Sequence, residues 1–481
     1  MKKKKSLVNN FIFNAGYSLL NVIFPLITTP YLSRVLLADG VGAVAFAENI
    51  VSYFVIFASL GIPTYGIREI AKVQSNFEER RKVFSEIFFI NLIATTISCI
   101  TYYIMILTSS AFSNSLSLYC ISGLLLLFNV FNVDWFYKGM EEYGYITMRS
   151  MIMKIVSLIA MFTFVKTKED FVVYAFIHCM AISGNYIFNI LHLKKFTKLT
   201  LKNINCKRHM KVIIILLSTT IAVELYAKLD TTMIGFICGK EYVGYYSNAI
   251  KLVKIIVTLI AALGTILLPR LSSYINEGRS EYINELVRKA TKFIITISIP
   301  AAIGLILLSQ LVVNVIFGDS FAPAGRTMMI LSLLIPIMTI GNLYGTQLLM
   351  VFNQEKKLLH SVIIGAVVNV ILNSIMIPLY QQNGAAIASV ISEGVVMIAQ
   401  VIFAIKYVKV NLTKSFLRNI FISNLVMALI INIVKVMNFQ QIVELCIAIT
   451  IGGVTYIILN ILFKNDIVLF GVNKVKKILI K

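Results

Sequence analysis

The chain has 481 residues, 58% of them hydrophobic and 14% charged, whereas roughly a quarter of the residues in soluble domains are charged. That composition excludes a soluble fold and leaves no segment large enough to be a separate soluble domain with chemistry of its own. Lys and Arg number 44 against 22 Asp and Glu, a formal +22; the surplus is spread over many loops, so topology and anionic lipid headgroups account for it and nucleic acid does not.

A membrane span needs about 20 mostly apolar residues to cross roughly 30 Å of hydrocarbon, and the charged clusters are separated by runs of about that length. The opening, Met1 to Lys5 and then an apolar run, imitates a signal peptide but continues past Pro30 without a small-residue cleavage site, so it is read as a retained first span. In chain order the apolar windows predict fourteen helices, at about 8–33, 41–66, 83–108, 115–137, 143–165, 171–192, 211–238, 242–268, 287–317, 324–352, 358–379, 384–405, 415–437 and 440–463.

Charge asymmetry checks the count. With the N-terminus placed inside, alternate loops hold 34 of the basic residues, including Lys2 to Lys5, Arg68 to Lys82, Lys138 with Arg149, Lys194 to Lys211, Arg270 to Lys292 and the C-terminal lysines. The opposite loops hold six (Arg34, Lys166, Lys168, Lys240, Arg326, Lys435), and four (Lys154, Lys228, Lys251, Lys254) fall inside predicted spans. A wrong helix count would flip every later loop and destroy this separation, so both termini and the Lys194 to Lys211 loop are expected to be cytoplasmic.

An internal echo divides the chain. VGAVAFAENIVSYFVIFASLG from Val41 matches VGYYSNAIKLVKIIVTLIAALG from Val243 in its opening Val-Gly, its length and its closing Leu-Gly. An even number of helices separates the copies, which gives them the same orientation, as in a parallel repeat about an axis along the membrane normal. The expected architecture is an all-α membrane protein with two pseudo-symmetric six-helix bundles, 1–192 and 193–405, followed by a terminal helix pair and basic tail, 406–481.

Neither a GxxxxGK[ST] loop nor an HExxH pair is present. The six cysteines show no CxxC or paired spacing, and the four histidines are dispersed, so neither a metal site nor a cofactor is expected. The outer loops are about 3 to 10 residues long, too short for a catalytic face, and no enzyme activity is expected.

The informative residues are ionisable groups inside spans, each costing at least ~2.5 kcal/mol on insertion scales and therefore facing a cavity or a partner. Glu224, Lys228 and Asp230 lie in the seventh helix, Lys251 and Lys254 in the eighth. Glu224 and Lys228 share a face as an i,i+4 pair. Asp230 points about 120° away from Glu224, towards Lys251 or Lys254 on the adjoining helix. These five either are buried pairs that orient helices or include a lysine that lines a substrate path. Lys154 and Glu393 near mid-span divide between the same two roles, while Glu48, Asp134 and Arg34 lie nearer helix ends, where snorkelling is the simpler account. Pro25, Pro30, Pro300 and Pro336 fall inside helices and bend them, as hinges or as static kinks. Asparagines in the spans, among them Asn49, Asn129, Asn185, Asn248, Asn369 and Asn373, suit either helix adhesion or sugar hydroxyls.

TTPYLSRVL from Thr28, GVGAVAFAENIVSYF from Gly40, LGIPTYGIREIA from Leu60, LDTTMIG from Leu229, VGYYSNAIKLVK from Val243 and LLPRLS from Leu267 together resemble the Wzx-type polysaccharide flippases of the multidrug/oligosaccharidyl-lipid/polysaccharide exporter superfamily. The resemblance spans the whole chain. It implies translocation of undecaprenyl-pyrophosphate-linked repeat units, for O-antigen or capsule assembly, across the bacterial cytoplasmic membrane by two bundles that rock around a cationic cavity. It implies lipid-linked oligosaccharide as substrate, membrane lipids as surroundings, and a polysaccharide polymerase with other assembly proteins as partners.

Under the resemblance Asp230 and Lys251 match the family's acidic and basic positions. The mid-span cations are all lysines, so a bidentate arginine clamp on pyrophosphate is replaced by point charges at Lys251, Lys254, Lys228 and Lys154, with Arg34 nearer the end of its span. Asp230, Glu224, Glu393 and Glu48 are the candidates for ion coupling or ion pairing. The repeat sets the eighth helix opposite the second, which offers no basic residue at the matching depth, so the cationic surface is expected in the second bundle. Two other readings remain: a drug/cation antiporter of the same superfamily, which would favour an acidic cavity, and a membrane glycosyltransferase or polymerase.

Overall fold

A computed structural model describes residues 7–479 apart from 203, 266–270, 272, 275, 276, 278 and 438. Lys2 to Lys5, Arg270 and Lys481, used above in the topology argument, lie outside the described residues. Among the described residues the chain is helical throughout, without strands. Eleven segments of the described residues are long and apolar enough to cross a membrane. The first and ninth of these, Leu20–Lys72 and Glu355–Ala404, run 53 and 50 residues and each holds two crossings; with the 31-residue helix Lys207–Ile237 the total is the expected fourteen.

Helix α1 (Leu7–Ser59) bends sharply at Leu37 (φ 58°) and so contains the first and second predicted spans. A short amphipathic helix α2 (Ile62–Lys72) follows, then α3 (Phe77–Thr108), whose Asn76 side chain caps the N-terminus by accepting from the Glu79 amide. The fourth predicted span is not one helix. It is broken into α4 (Leu116–Ser122), α5 (Leu124–Leu127), a 3₁₀ turn at Phe128–Phe131 and α6 (Asp134–Gly139). Next come α7 (Tyr143–Phe164), α8 (Phe171–Leu193), α9 (Lys207–Ile237) and α10 (Lys240–Thr265).

The remaining helices are α11 (Ser280–Phe317), α12 (Ala324–Leu331), α13 (Leu334–Gly341) running into a π-helical stretch at Asn342–Leu349, α14 (Glu355–Ala404), α15 (Lys414–Val436), α16 (Gln441–Leu462) and α17 (Asp466–Leu479). A second non-glycine bend, at Gln381 (φ 53°), splits α14 into the eleventh and twelfth predicted spans.

The chain forms two compact units: residues 1–235 with 239–244, and 236–238 with 245–481. The first unit has an aromatic core in which Phe84, Trp135 and Phe136 meet, with Phe84 and Trp135 stacked at 5.6 Å between centroids. Phe196, just past α8, packs on the same cluster. In the second unit polar groups stitch the spans: Tyr246 pairs with Ser389 at 2.9 Å, the Tyr456 hydroxyl donates to the Thr296 carbonyl at 2.8 Å, and the Asn373 amide donates to Asn369 at 2.9 Å. Each satisfies a polar group where water is scarce, the general use of buried amides and hydroxyls between spans.

Candidate functional site

Helices α1, α6, α7 and α8 of the first unit enclose a cavity of about 290 Å³ whose polar wall is formed by Asn21, Asp134, Arg149, Lys154, His178 and Asn185. Lys154 stands at the middle of the 22-residue α7, roughly 16 Å along the helix at 1.5 Å per residue. Its ammonium donates to Asn21 Oδ1 at 2.6 Å and lies 5.5 Å from the centre of the Phe24 ring. An amide oxygen and an aromatic face hold a cation at this depth while leaving it accessible from the cavity.

Arg149 is the correction. Above it was counted with the loop preceding α7, but it lies inside that helix, two turns in, and is 6% exposed. Asp134 at the start of α6 accepts from its Nη2 at 3.0 and 3.3 Å, and Asn185 Oδ1 accepts from Nε at 3.0 Å. Asn189 accepts from Nη1 and its own amide donates to Asp134 Oδ1 at 2.7 Å. A guanidinium saturated in this way can be buried where an isolated one could not. Hydropathy windows register only the charge, which is why the residue resembles a helix boundary. Asn185 and Asn189, four apart on α8, are the signal that could have revealed the network.

Glu48 on α1 pairs with Nδ1 of His178, and His178 also lines the cavity, so Glu48 and Lys154 belong to one neighbourhood. Sequence reasoning did not single out His178. Arg34 is exposed on α1 away from that wall. On α9, Glu224 and Lys228 face each other at 3.0 Å with side chains 41% and 27% exposed, an i,i+4 pair on the helix surface. Asp230 is buried, 8% exposed. Two residues on, Thr232 Oγ1 accepts from the Asn49 amide at 2.6 Å and meets the Tyr53 hydroxyl at 2.6 Å, fastening α9 to α1. Lys251 and Lys254 are both exposed on α10, in the second unit, where Glu393 is half-buried on α14. The six candidates of the first unit therefore split: Lys154 lines the cavity beside His178, the partner of Glu48; Glu224 and Lys228 pair on α9; and Arg34 and Asp230 lie outside the cavity wall.

Fourteen crossing helices with a charged cavity at mid-span define a polytopic membrane protein of the transporter type. The chain belongs to the family described as polysaccharide biosynthesis protein, whose profile matches residues 7–275, more than half of its length. It is 24% identical over 403 residues to a candidate O-antigen transporter of Escherichia coli (strain K12), covering 83% of this chain and 97% of that one. A candidate O-antigen transporter of Shigella dysenteriae is 23% identical, with 84% and 100% covered. Among solved structures, the lipid II flippase MurJ in an inward closed conformation matches with a TM-score of 0.78 over 95% of this chain and 100% of that one, at 16% identity. An inward-facing multidrug resistance MATE family transporter of the MOP superfamily matches at 0.61, over 80% and 97%, at 15% identity. At these identities the structural likeness establishes the fold, the one expected from the motifs around Thr28, Gly40 and Leu229. These relatives and neighbours are named as transporters and a flippase, not as catalysts, which sets aside the glycosyltransferase or polymerase reading.

Proposed function

We propose that this protein is a flippase that carries undecaprenyl-pyrophosphate-linked oligosaccharide units across the bacterial cytoplasmic membrane for surface polysaccharide assembly. The observation that carries the reading is the mid-span cavity at Lys154. Two cations, Lys154 and Arg149, face it against the single carboxylate of Asp134, and Asp134 is committed to Arg149. The surplus is positive, as an anionic linkage needs and as a cationic drug would not, so the antiporter reading is the weaker. At about 290 Å³ the cavity suits the charged linkage rather than a whole oligosaccharide. A diphosphate cannot cross hydrocarbon unaided, whereas a prenyl tail can remain in lipid, so a polar cavity with alternating access suffices.

Within this reading Lys154 contacts the diphosphate, and Arg149, fixed by Asp134, Asn185 and Asn189, sets the local field. Lys251 and Lys254 supply further point charges from the second unit, and Asp230 links their release to an ion gradient. The twofold bundles 1–192 and 193–405, with 406–481 as an appendage, are the moving parts. Polysaccharide polymerase and other assembly proteins act on the delivered unit. Both termini lie in the cytoplasm, so a cysteine at position 198, where Lys198 is exposed, should resist an impermeant reagent in intact cells.

Binding tests the reading. Lipid-linked oligosaccharide should bind the detergent-solubilised protein, and Lys154→Ala should weaken that binding about tenfold, a loss of about 1.4 kcal/mol. Equal binding by both would remove Lys154 from the substrate path.

A further inference from the structure

A second cavity, of about 450 Å³, opens elsewhere in the first unit between α2, α3 and the start of α9. Its depth is set by sequence. Glu78, Glu79, Arg80, Arg81 and Lys82 are five consecutive charged residues at the start of α3, and the apolar run begins at Val83. Charges in such density stay out of hydrocarbon, so Glu79 and Lys82, both on the cavity wall, lie at the level of the lipid headgroups.

The floor is built around Glu86, whose side chain is fully buried. Its Oε1 accepts from the Asn205 amide at 2.7 Å, and its Oε2 accepts from Arg208 Nε at 2.9 Å and lies 2.8 Å from His209 Nε2. The Tyr65 hydroxyl holds the other ring nitrogen of His209 at 2.6 Å. Arg208, 44% exposed, is thus fixed by Nε and Nη2, both of which donate to Glu86. On the rim Glu69 is already engaged by Lys72 at 2.8 Å and Arg68 at 3.4 Å. Among the described residues Glu79 and Lys82 form no ion pair.

One anchored guanidinium, one ammonium and one carboxylate therefore remain around a cavity at headgroup depth. We propose that this cavity binds the phosphoethanolamine headgroup of a membrane phospholipid, with Arg208 and Lys82 on the phosphate and Glu79 accepting from the primary ammonium. A purely anionic headgroup would meet Glu79 unfavourably. A quaternary ammonium has no N–H to offer that carboxylate.

The test uses the full chain in nanodiscs that contain phosphatidylethanolamine, phosphatidylglycerol and phosphatidylcholine at equal mole fraction, with retained lipid measured by native mass spectrometry. Phosphatidylethanolamine should be retained in preference to both others. Lys82→Ala should reduce retention of all three lipids about tenfold, whereas Glu79→Ala should reduce the preference for phosphatidylethanolamine about tenfold and raise retention of phosphatidylglycerol. Both side chains reach solvent, and Lys82→Gln and Glu79→Gln repeat the test should an alanine variant misfold. Retention of phosphatidylglycerol at or above that of phosphatidylethanolamine in the unaltered protein, or indifference to Glu79→Ala, would overturn the proposal. A further arm adds soluble glycerophosphoethanolamine: if it displaces the lipid at equal concentration, the site belongs to a soluble phosphoethanolamine compound and the lipid assignment fails.

Discussion

Gly42 and Gly244 lie against each other's helices in reciprocal fashion. A Cβ on Gly42 would overlap the carbonyl oxygen of Lys240, four residues before Gly244, and a Cβ on Gly244 would overlap the carbonyl oxygen of Ala38, four residues before Gly42. These are the glycines of the two Val-Gly pairs that open the internal echo. Only glycine permits backbones this close.

Gly42→Ala should accordingly destabilise the protein by about 1–3 kcal/mol, the range for overpacking a close contact, and lower the melting temperature in detergent. Gly304→Ala is the control. It lies inside α11 with nothing within 4 Å of an added Cβ, so it should be neutral or stabilising by up to about 1 kcal/mol. An unchanged melting temperature for Gly42→Ala would contradict the close approach.

The pair formed by Asp134 and Arg149 predicts a non-additive series. Asp134→Ala strands a guanidinium that is 6% exposed, and the cost of such an uncompensated buried charge is about 3–5 kcal/mol. The double variant Asp134→Ala with Arg149→Met should recover much of that stability in the same melting assay. Additive losses would show that the two residues act independently.

Cys206 offers a pH-dependent readout of the Glu86 cluster. Burial pushes its thiol up from the usual range, and the nearby Glu86 carboxylate pushes it further in the same direction. The reactive thiolate therefore appears at higher pH than for a free cysteine. Maleimide labelling of Cys206 should begin at correspondingly higher pH, and Glu86→Gln should move the onset back down. An onset that Glu86→Gln does not move would place the carboxylate's influence elsewhere.

The sequence disclosed the fold through charge. Loop lysines and arginines marked every second turn, and the even count of crossings follows from them. Three features were hidden for physical reasons. Leu37 and Gln381 take left-handed backbone conformations without the glycine that ordinarily signals them, so the breaks expected at 33–41 and 379–384 are single-residue bends within continuous helices and not loops. The interruption of the fourth span between Leu116 and Gly139 falls in a run of leucines and phenylalanines whose hydropathy is uniform, with only Asn129 and Asn132 to mark it.

At the cavity, Lys154 was legible because a lone mid-span lysine demands a polar neighbour. Arg149 was not legible, because its partners come from α6 and α8 and a buried, saturated charge reads like a loop charge until the helices are assembled. The Glu86 cluster was missed similarly, since its groups lie about 120 residues apart in the chain.

The central claim, that the Lys154 cavity carries the anionic linkage of the substrate, is tested most directly by transport of labelled lipid-linked oligosaccharide in proteoliposomes. The unaltered protein should move the labelled unit between leaflets. Lys154→Ala should slow this at least about tenfold, with membrane insertion intact, and Lys154→Arg should retain part of the rate because a charge remains at the same depth. Full transport by Lys154→Ala together with its loss in Lys251→Ala would contradict the account and place the cationic contact in the second unit.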